Sequence, residues 1–353
     1  MTVLRSQWAN LRLFPAYFPP SRVLRDALSF GVHYLGDGRA GRHPAIVNLH
    51  VTNRCNLSCE WCYNKGNAAG PSDEMSFAEM LSLVRECRVG GTGVFLTGGE
   101  PLLRDDLFRV IQEIKSARLP VGLVTNGTLL DPGRIDALMR QGIDSLIVSA
   151  QGGPDRATHA RLVAVLRTLA NRMRSPGPIV NYVVALDSLA GIRPFLADVL
   201  PIENVAVRLT HMSFATEEEN RDHERVWARR FGEPACTLQT YRFEPPPGGF
   251  DEVVGVLRDP GFRRMWSKPT LSSEEAVAWY RPGFQIRRRC MFVWHSAWIN
   301  ADGNVSPCQY YLKSMGNIRE QPLEQIWNGD RYRAFRVGLR QGLLPGCQRC
   351  CKL

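Results

Sequence analysis

Ten cysteines stand in this 353-residue chain, and eight of them fall in two tight groups near opposite ends. The first group, Cys55-Asn56-Leu57-Ser58-Cys59-Glu60-Trp61-Cys62, spaces three thiols as C-x3-C-x2-C, within reach of three corners of one iron–sulfur cubane. A [4Fe–4S] cluster takes four ligands, so three thiolates leave one iron open to bind a small molecule. Zinc is the alternative, but it prefers paired knuckles and four closed ligands. Further on, Thr97-Gly98-Gly99-Glu100-Pro101 joins two glycines, which let backbone approach a ligand closely, to a carboxylate that can accept from an ammonium group. The second group comprises Cys290 and Cys308, with Gly303 between them in a C-x12-G-x4-C arrangement, then Cys347, Cys350 and Cys351. Four thiolates close a second cluster with no free iron, or hold a structural zinc. Cys290, Cys308, Cys347 and Cys350 form the expected set with Cys351 spare, the choice between Cys350 and Cys351 staying open. Cys87, on an apolar helical face, reads as core, and Cys236 as a free thiol.

These residues need elements to hold them. From Ile46 onward, apolar runs alternate with amphipathic ones: Ile46–Val51, Gly93–Thr97, Val121–Thr125, Ser145–Ser149, Ile179–Ala185 and Val205–Leu209, separated by helical periods such as Phe77–Cys87, Leu107–Ala117, Arg134–Gln141 and Ala157–Met173. Six such units predict an α/β fold, a partial (β/α)6 TIM-type barrel with a parallel sheet, whose chemistry sits at the C-terminal ends of the strands. Cys55, Gly98, Asn126 and Ser149 all fall at such ends. Residues 1–44 read as a lead-in segment with a helix-like stretch Arg22–Tyr34, 45–210 as the barrel core, and 211–285, with its Pro245-Pro246-Pro247-Gly248-Gly249 run, as a bridge that could carry substrate-specific residues. Residues 286–353 read as a small C-terminal iron–sulfur domain, with a strand over Ala297–Asn300, a turn at Asp302-Gly303 and a helix Leu323–Trp327.

With 44% hydrophobic residues the chain can bury substantial cores. No apolar run reaches the ~18 residues of a membrane span, and the first twenty residues lack a secretory signal, so a cytoplasmic protein is expected. In that compartment clustered cysteines point to metal rather than disulfides. The net charge of +10 is scattered without a Lys/Arg block, which argues against nucleic acid and suits an anionic ligand.

The segment Val51–Tyr63, with an aromatic residue directly after Cys62, together with Thr97–Pro101, closely resembles the radical S-adenosylmethionine (SAM) superfamily. The resemblance implies that Cys55, Cys59 and Cys62 hold a [4Fe–4S] cluster whose open iron binds SAM, and that a reduced cluster cleaves SAM to a 5′-deoxyadenosyl radical. It implies further that Gly98, Gly99 and Glu100 receive the SAM amino group, that Asn126 lies near the ribose, and that Ser149 and Arg161 hold the SAM carboxylate. Asn126-Gly127 is equally a turn signal, Arg161 equally a surface-helix residue, and Gln151 stands where many relatives have Asp. Ile299–Cys308, Gly316-Asn317-Ile318 and Ile326-Trp327-Asn328 resemble the SPASM/twitch extension of that superfamily. Because the chain stops at Leu353, the shorter twitch form with one auxiliary [4Fe–4S] cluster is expected.

The function these features imply is radical transformation of a small molecule of sugar, aminocyclitol or nucleoside type in natural-product (antibiotic) biosynthesis, by dehydrogenation, decarboxylation or a related oxidoreductase or lyase step. The electron would come from a flavodoxin or ferredoxin. The alternative is a maturase acting on a ribosomally made peptide; a non-catalytic iron–sulfur or zinc module, and a cobalamin methyltransferase, rank behind it. Asn181, Tyr182, Arg208, His211, Trp294, His295 and Tyr310 are candidate substrate contacts, with no catalytic acid or base singled out.

Overall fold

The computed structural model describes residues 36–66, 73–150, 156–173, 177–235, 241–262, 265–311 and 313–353. The predicted helix at 22–34, Gln151 and Cys236 lie outside them. Six parallel strands form where apolar runs were read: β1 (Ile46–Thr52), β2 (Gly93–Gly98), β3 (Val121–Thr125), β4 (Ser145–Ala150), β5 (Ile179–Val184) and β6 (Ala206–His211). Strands covered on both faces must be apolar along their length, which is why these read as continuous runs rather than alternations. Helices α1 (Phe77–Gly90), α2 (Leu107–Ser116), α3 (Pro132–Gln141), α4 (Arg156–Arg172) and α5 (Ile192–Val199) connect them. The start of α1 is fixed by Ser76, whose hydroxyl accepts from the Glu79 amide while the Glu79 carboxylate returns to the Ser76 N–H.

The sheet is wider than six strands. The 211–285 segment is more than a bridge. After helix α6 (Glu217–Phe231), a two-stranded ribbon of β7 (Phe214–Ala215) and β8 (Tyr241–Arg242), and helix α7 (Asp251–Arg258), it returns β9 (Met265–Lys268) to the sheet, parallel to β6. Helix α8 (Ser273–Trp279) follows. At the opposite edge the strand expected within the C-terminal unit, β10 (Ser296–Ile299), pairs in parallel with β1, and β11 (Asn304–Ser306) and β12 (Gly316–Asn317) extend it antiparallel. Eight parallel strands therefore run in the order β10-β1-β2-β3-β4-β5-β6-β9. β9 and β10 are not hydrogen-bonded, so the barrel stays open, and residues 266–270 and 288–295 meet the C-terminal residues 351–353 around a small pocket of about 90 Å³. β9 escaped the sequence reading because Met-Trp-Ser-Lys is short and mixed in polarity, as a half-buried edge strand can be.

Two cores flank the sheet. The large one packs its outer face, including Leu49, Leu96, Leu123, Val148, Val180 and Leu209, against the helices. The smaller one, Ala45, Ile46, Phe95, Ile147 and Ile179 with Val124, Ala206 and Trp266 against it, fills the barrel interior. Register stacks the inward residues in layers. Ile147, Ile179 and Ala206 are paired neighbours in the apolar layer, and two residues on, Ser149, Asn181 and Arg208 form a polar one. The apolar layer forms the barrel floor, and the polar layer of Ser149, Asn181 and Arg208 lies above it. Among the described residues no helix is long and apolar enough to cross a membrane.

Candidate functional site

Above the apolar layer opens a cavity of about 700 Å³ lined by the C-terminal ends of the strands. Cys55, Cys59 and Cys62 all face it, as do Gly98, Gly99, Asn126 and Ser149. The three thiols sit close enough to act on one another. Burial first, then Cys62 and Cys55, push the Cys59 thiol up to about 11. Gathering three thiolates in one place is electrostatically costly unless a cation takes their charge. Three thiolates suit the three protein-held corners of an iron–sulfur cubane, whereas structural zinc takes four ligands.

The loop that carries these cysteines is clamped from both sides. Glu74 accepts from the Thr52 hydroxyl (2.7 Å) and the Asn53 amide (2.8 Å), and Arg104 donates to Val51 O (2.8 Å) and Met75 O (2.9 Å). From the β2 side, Gly99 N donates to Thr52 O and Glu100 N to Arg54 O, both at 2.8 Å. A Cβ on Gly98 would lie 2.2 Å from Thr52 O, and one on Gly99 2.1 Å from Arg54 O; Gly98 also has φ +137°. The glycines thus admit the cysteine loop's own backbone as well as bordering the cavity. Thr52, Glu74 and Arg104 were missed by the sequence reading, since nothing in their local pattern distinguishes a clamp from a surface charge.

Glu100 differs most from expectation. Its side chain is wholly buried and is not among the residues lining the cavity. Its oxygens accept from Leu102 N (3.1 Å), the Thr125 hydroxyl (2.7 Å) and Asn126 N (2.7 Å). Burial raises its pKa against the pull of those three bonds, of which Asn126's is the largest. In this structure the carboxylate joins β2 to β3 through three accepted hydrogen bonds. Asn126 extends the network: its amide donates to Asn56 Oδ1 (2.9 Å) within the cysteine loop, and Asn56 donates to the Thr128 hydroxyl (2.8 Å). Arg161 lies off the cavity and donates to Thr128 O (2.8 Å), bracing the same turn instead of facing the site.

The opposite wall belongs to the C-terminal residues. Cys290, Cys308, Cys347 and Cys350 are mutually close: the Cys350 thiol is pushed up by burial and then by Cys351, Cys308, Cys290 and Cys347. Tyr311 OH lies 3.0 Å from Cys347 Sγ. Cys351 differs from the other four. It lines the cavity, its Sγ lies 3.2 Å from Tyr310 OH, and its amide donates to the Ser213 hydroxyl. Tyr63, next to Cys62, packs edge-on to Trp298 and Tyr310, so aromatic rings span the space between the two cysteine groups. Arg349 locks this end in place: it is buried, bonds Trp279 O and Arg281 O at 2.6 Å each, and pairs with the Glu219 carboxylate.

Of the candidate substrate contacts, Asn181, Arg208, His211, His295 and Tyr310 line the cavity. Tyr182 and Trp294 do not. Tyr182 points to the outer face, where its hydroxyl donates to Ser188 O, and the Trp294 ring packs near Arg336. Burial holds His211 down to about 3 and His295 to about 4, so both imidazoles are neutral at physiological pH. Lys268 and Lys352, unnoticed in sequence, also line the wall.

Comparison with known proteins matches these parts. The radical SAM superfamily model covers residues 49–185, and the SPASM iron–sulfur cluster-binding domain model covers residues 290–351. An AdoMet-dependent heme synthase of Methanosarcina barkeri is 26% identical over 318 residues, covering 83% of this chain and 85% of its own. A PqqA peptide cyclase of Xanthomonas oryzae is 26% identical over 310 residues, covering 83% and 77%. SuiB of Streptococcus suis, bound to S-adenosylmethionine, shares the fold with a TM-score of 0.58 at 12% identity, over 90% of this chain and 72% of that one.

Proposed function

From its membership of the radical SAM superfamily, as an enzyme with a C-terminal SPASM domain, we propose that this chain carries out a radical transformation of a small polar molecule of sugar, aminocyclitol or nucleoside type. The observation that carries the substrate class is the cavity: a single space of about 700 Å³ bordered by Cys55, Cys59 and Cys62 and, from the C-terminal group, by Cys351. That volume falls in the range of small-molecule sites, roughly 300–1,000 Å³, and part of it must take the cluster and SAM. The remainder suits a compact substrate. Asn48, Ser149, Asn181 and Thr210 supply hydrogen-bonding groups around it, as a hydroxyl-rich molecule needs.

The enzyme binds a [4Fe–4S] cluster with SAM and an auxiliary iron–sulfur cluster. Cys55, Cys59 and Cys62 are the residues we assign to the first, leaving one iron for SAM, and Cys290, Cys308, Cys347 and Cys350 to the second. When bound, the first cluster and SAM supply one-electron reductive cleavage and hydrogen abstraction from a C–H bond. The chain's own residues set the stage for that. Gly98, Gly99 and Glu100 hold the cysteine loop against β2, Asn126 ties it to β3, and Ser149 offers a hydroxyl to the cavity. Phe95, Val124 and Ile147 close the floor and exclude water from below. A peptide substrate is the second reading, favoured by the peptide cyclase that matches over 83% of this chain.

The test is anaerobic. Reconstituted enzyme with SAM and reductant should release 5′-deoxyadenosine and hold about eight irons, falling to about four with no release in the Cys55/Cys59/Cys62→Ala triple variant. A cell extract containing the substrate should stimulate release. Stimulation that survives protease digestion of the extract supports a small molecule; stimulation that digestion destroys overturns it in favour of a peptide.

A further inference from the structure

Outside its cysteines, the cavity wall is charged in one sense only. Arg208 on β6, Lys268 on β9 and Lys352 near the C-terminus line it, and none of the described residues lining it is Asp or Glu. Arg208 is 7% exposed. Its Nε donates to Asn181 Oδ1 at 2.7 Å, and among the described residues no carboxylate acts on it or on Lys268. Lys352 is placed differently, its ammonium lying over the Phe292 and Trp298 rings at 5.3 and 5.8 Å. On the same wall the fully buried His211 leaves Nε2 without a partner, its Nδ1 being 3.0 Å from Tyr280 OH.

Apart from the Cys351 thiol, which acts on Arg208, this buried guanidinium has no anion beside it, and such a group is costly to a fold unless something outside the fold supplies the anion. The strand register aims both cations at one region. Arg208 pairs with Trp266 and Thr210 with Lys268, so Arg208 and Lys268 stand two register positions apart on adjacent strands, on the face that lines the barrel interior. Asn181 occupies Nε and so orients the guanidinium, leaving its two terminal nitrogens as the fork that matches a carboxylate or phosphate.

We propose that Arg208 and Lys268 form an oxyanion station for the substrate, so that the molecule this enzyme transforms carries a carboxylate or phosphate group, held on the β6–β9 side of the cavity. This rests on the reading that SAM and a small substrate share that cavity. Two other anions compete for the same cations. One is the carboxylate of SAM, since Ser149, Asn181 and Arg208 are neighbours in one layer. The other is the auxiliary-cluster end of the chain, where the spare thiol Cys351 and then the assigned ligand Cys350 act on Lys268.

The experiment separates them. Reconstituted holoenzyme saturated with SAM is titrated calorimetrically with inorganic phosphate and, separately, with acetate, for wild type, Arg208→Met and Lys268→Met. Wild type should bind at least one anion saturably, and each variant should weaken it about tenfold or more while the Kd for SAM moves by less than about twofold. Tighter phosphate binding assigns a phosphorylated substrate, tighter acetate binding a carboxylic acid. No saturable binding by wild type, or binding unchanged in the variants, overturns the station. So does a weakened SAM affinity in Arg208→Met, which gives the arginine to SAM. A shifted auxiliary-cluster potential in Lys268→Met with unchanged anion binding gives the lysine to the cluster. Should Arg208→Met fail to fold, Lys268→Met carries the test, because a half-buried lysine with no hydrogen-bond partner among the described residues can be removed without breaking a bond they show. Wild type that releases no 5′-deoxyadenosine would fail the radical SAM reading instead, a result the anion titration does not touch.

Discussion

Glu100 distinguishes two accounts of the same motif. If its carboxylate joins β2 to β3, Glu100→Gln should weaken the fold; if it binds SAM, the substitution should weaken SAM alone. The carboxylate is wholly buried and accepts from Leu102 N, Thr125 Oγ1 and Asn126 N. Glutamine keeps one acceptor oxygen and turns an NH2 toward at least one of those donors. The loss is one or two charge-assisted bonds, plus a buried donor left without a partner, for a net cost of about 2–4 kcal/mol. Alanine, which leaves all three donors unmet, should cost more. Because burial raises the Glu100 pKa in the fold, the carboxyl's contribution is fullest below its ordinary value of 4.5 and declines as pH rises through the raised one. The wild-type advantage over Gln should therefore be larger at pH 5 than at pH 8. The assay is urea unfolding at both pH values, with iron per chain and the Kd for SAM measured in parallel. Stability within about 0.5 kcal/mol of wild type, full iron and weakened SAM binding would refute the latch and return Glu100 to the ligand.

Four further substitutions probe the scaffold around the two cysteine groups. Gly98→Ala puts a Cβ 2.2 Å from Thr52 O at φ +137°, a cost of about 2–5 kcal/mol from overpacking and backbone strain; iron analysis should show the first cluster reduced while the second remains. Arg349→Met strands the Glu219 carboxylate beside the C-terminal cysteines, which should cost about 3–5 kcal/mol in urea unfolding and lower auxiliary iron. Cys350→Ser should lose the auxiliary cluster, since Cys350 sits among Cys290, Cys308 and Cys347. Cys351→Ser should keep it, since that thiol faces Tyr310 and the cavity. The reverse pattern in the iron count and cluster spectrum would exchange the two.

The six core strands and the gathering of the first three cysteines could be read from the chain alone, because both depend on short range. A strand covered on two faces must be apolar residue after residue, and C-x3-C-x2-C brings three thiols together within eight residues whatever surrounds them. The glycines of the β2 turn were legible as a close approach, but what approaches them is the cysteine loop, and only the parallel pairing of β1 with β2 settles that. The same holds for Glu100, whose partners Thr125 and Asn126 lie 25 and 26 residues further on. β9 escaped notice because its four residues carry no apolar period, and its place beside β6 is a matter of register. Arg208, Lys268 and Cys351 share no local pattern either. They come to one wall because β6, β9 and the C-terminus converge there, and a chain's spacing holds no record of contacts that the closing of a sheet creates.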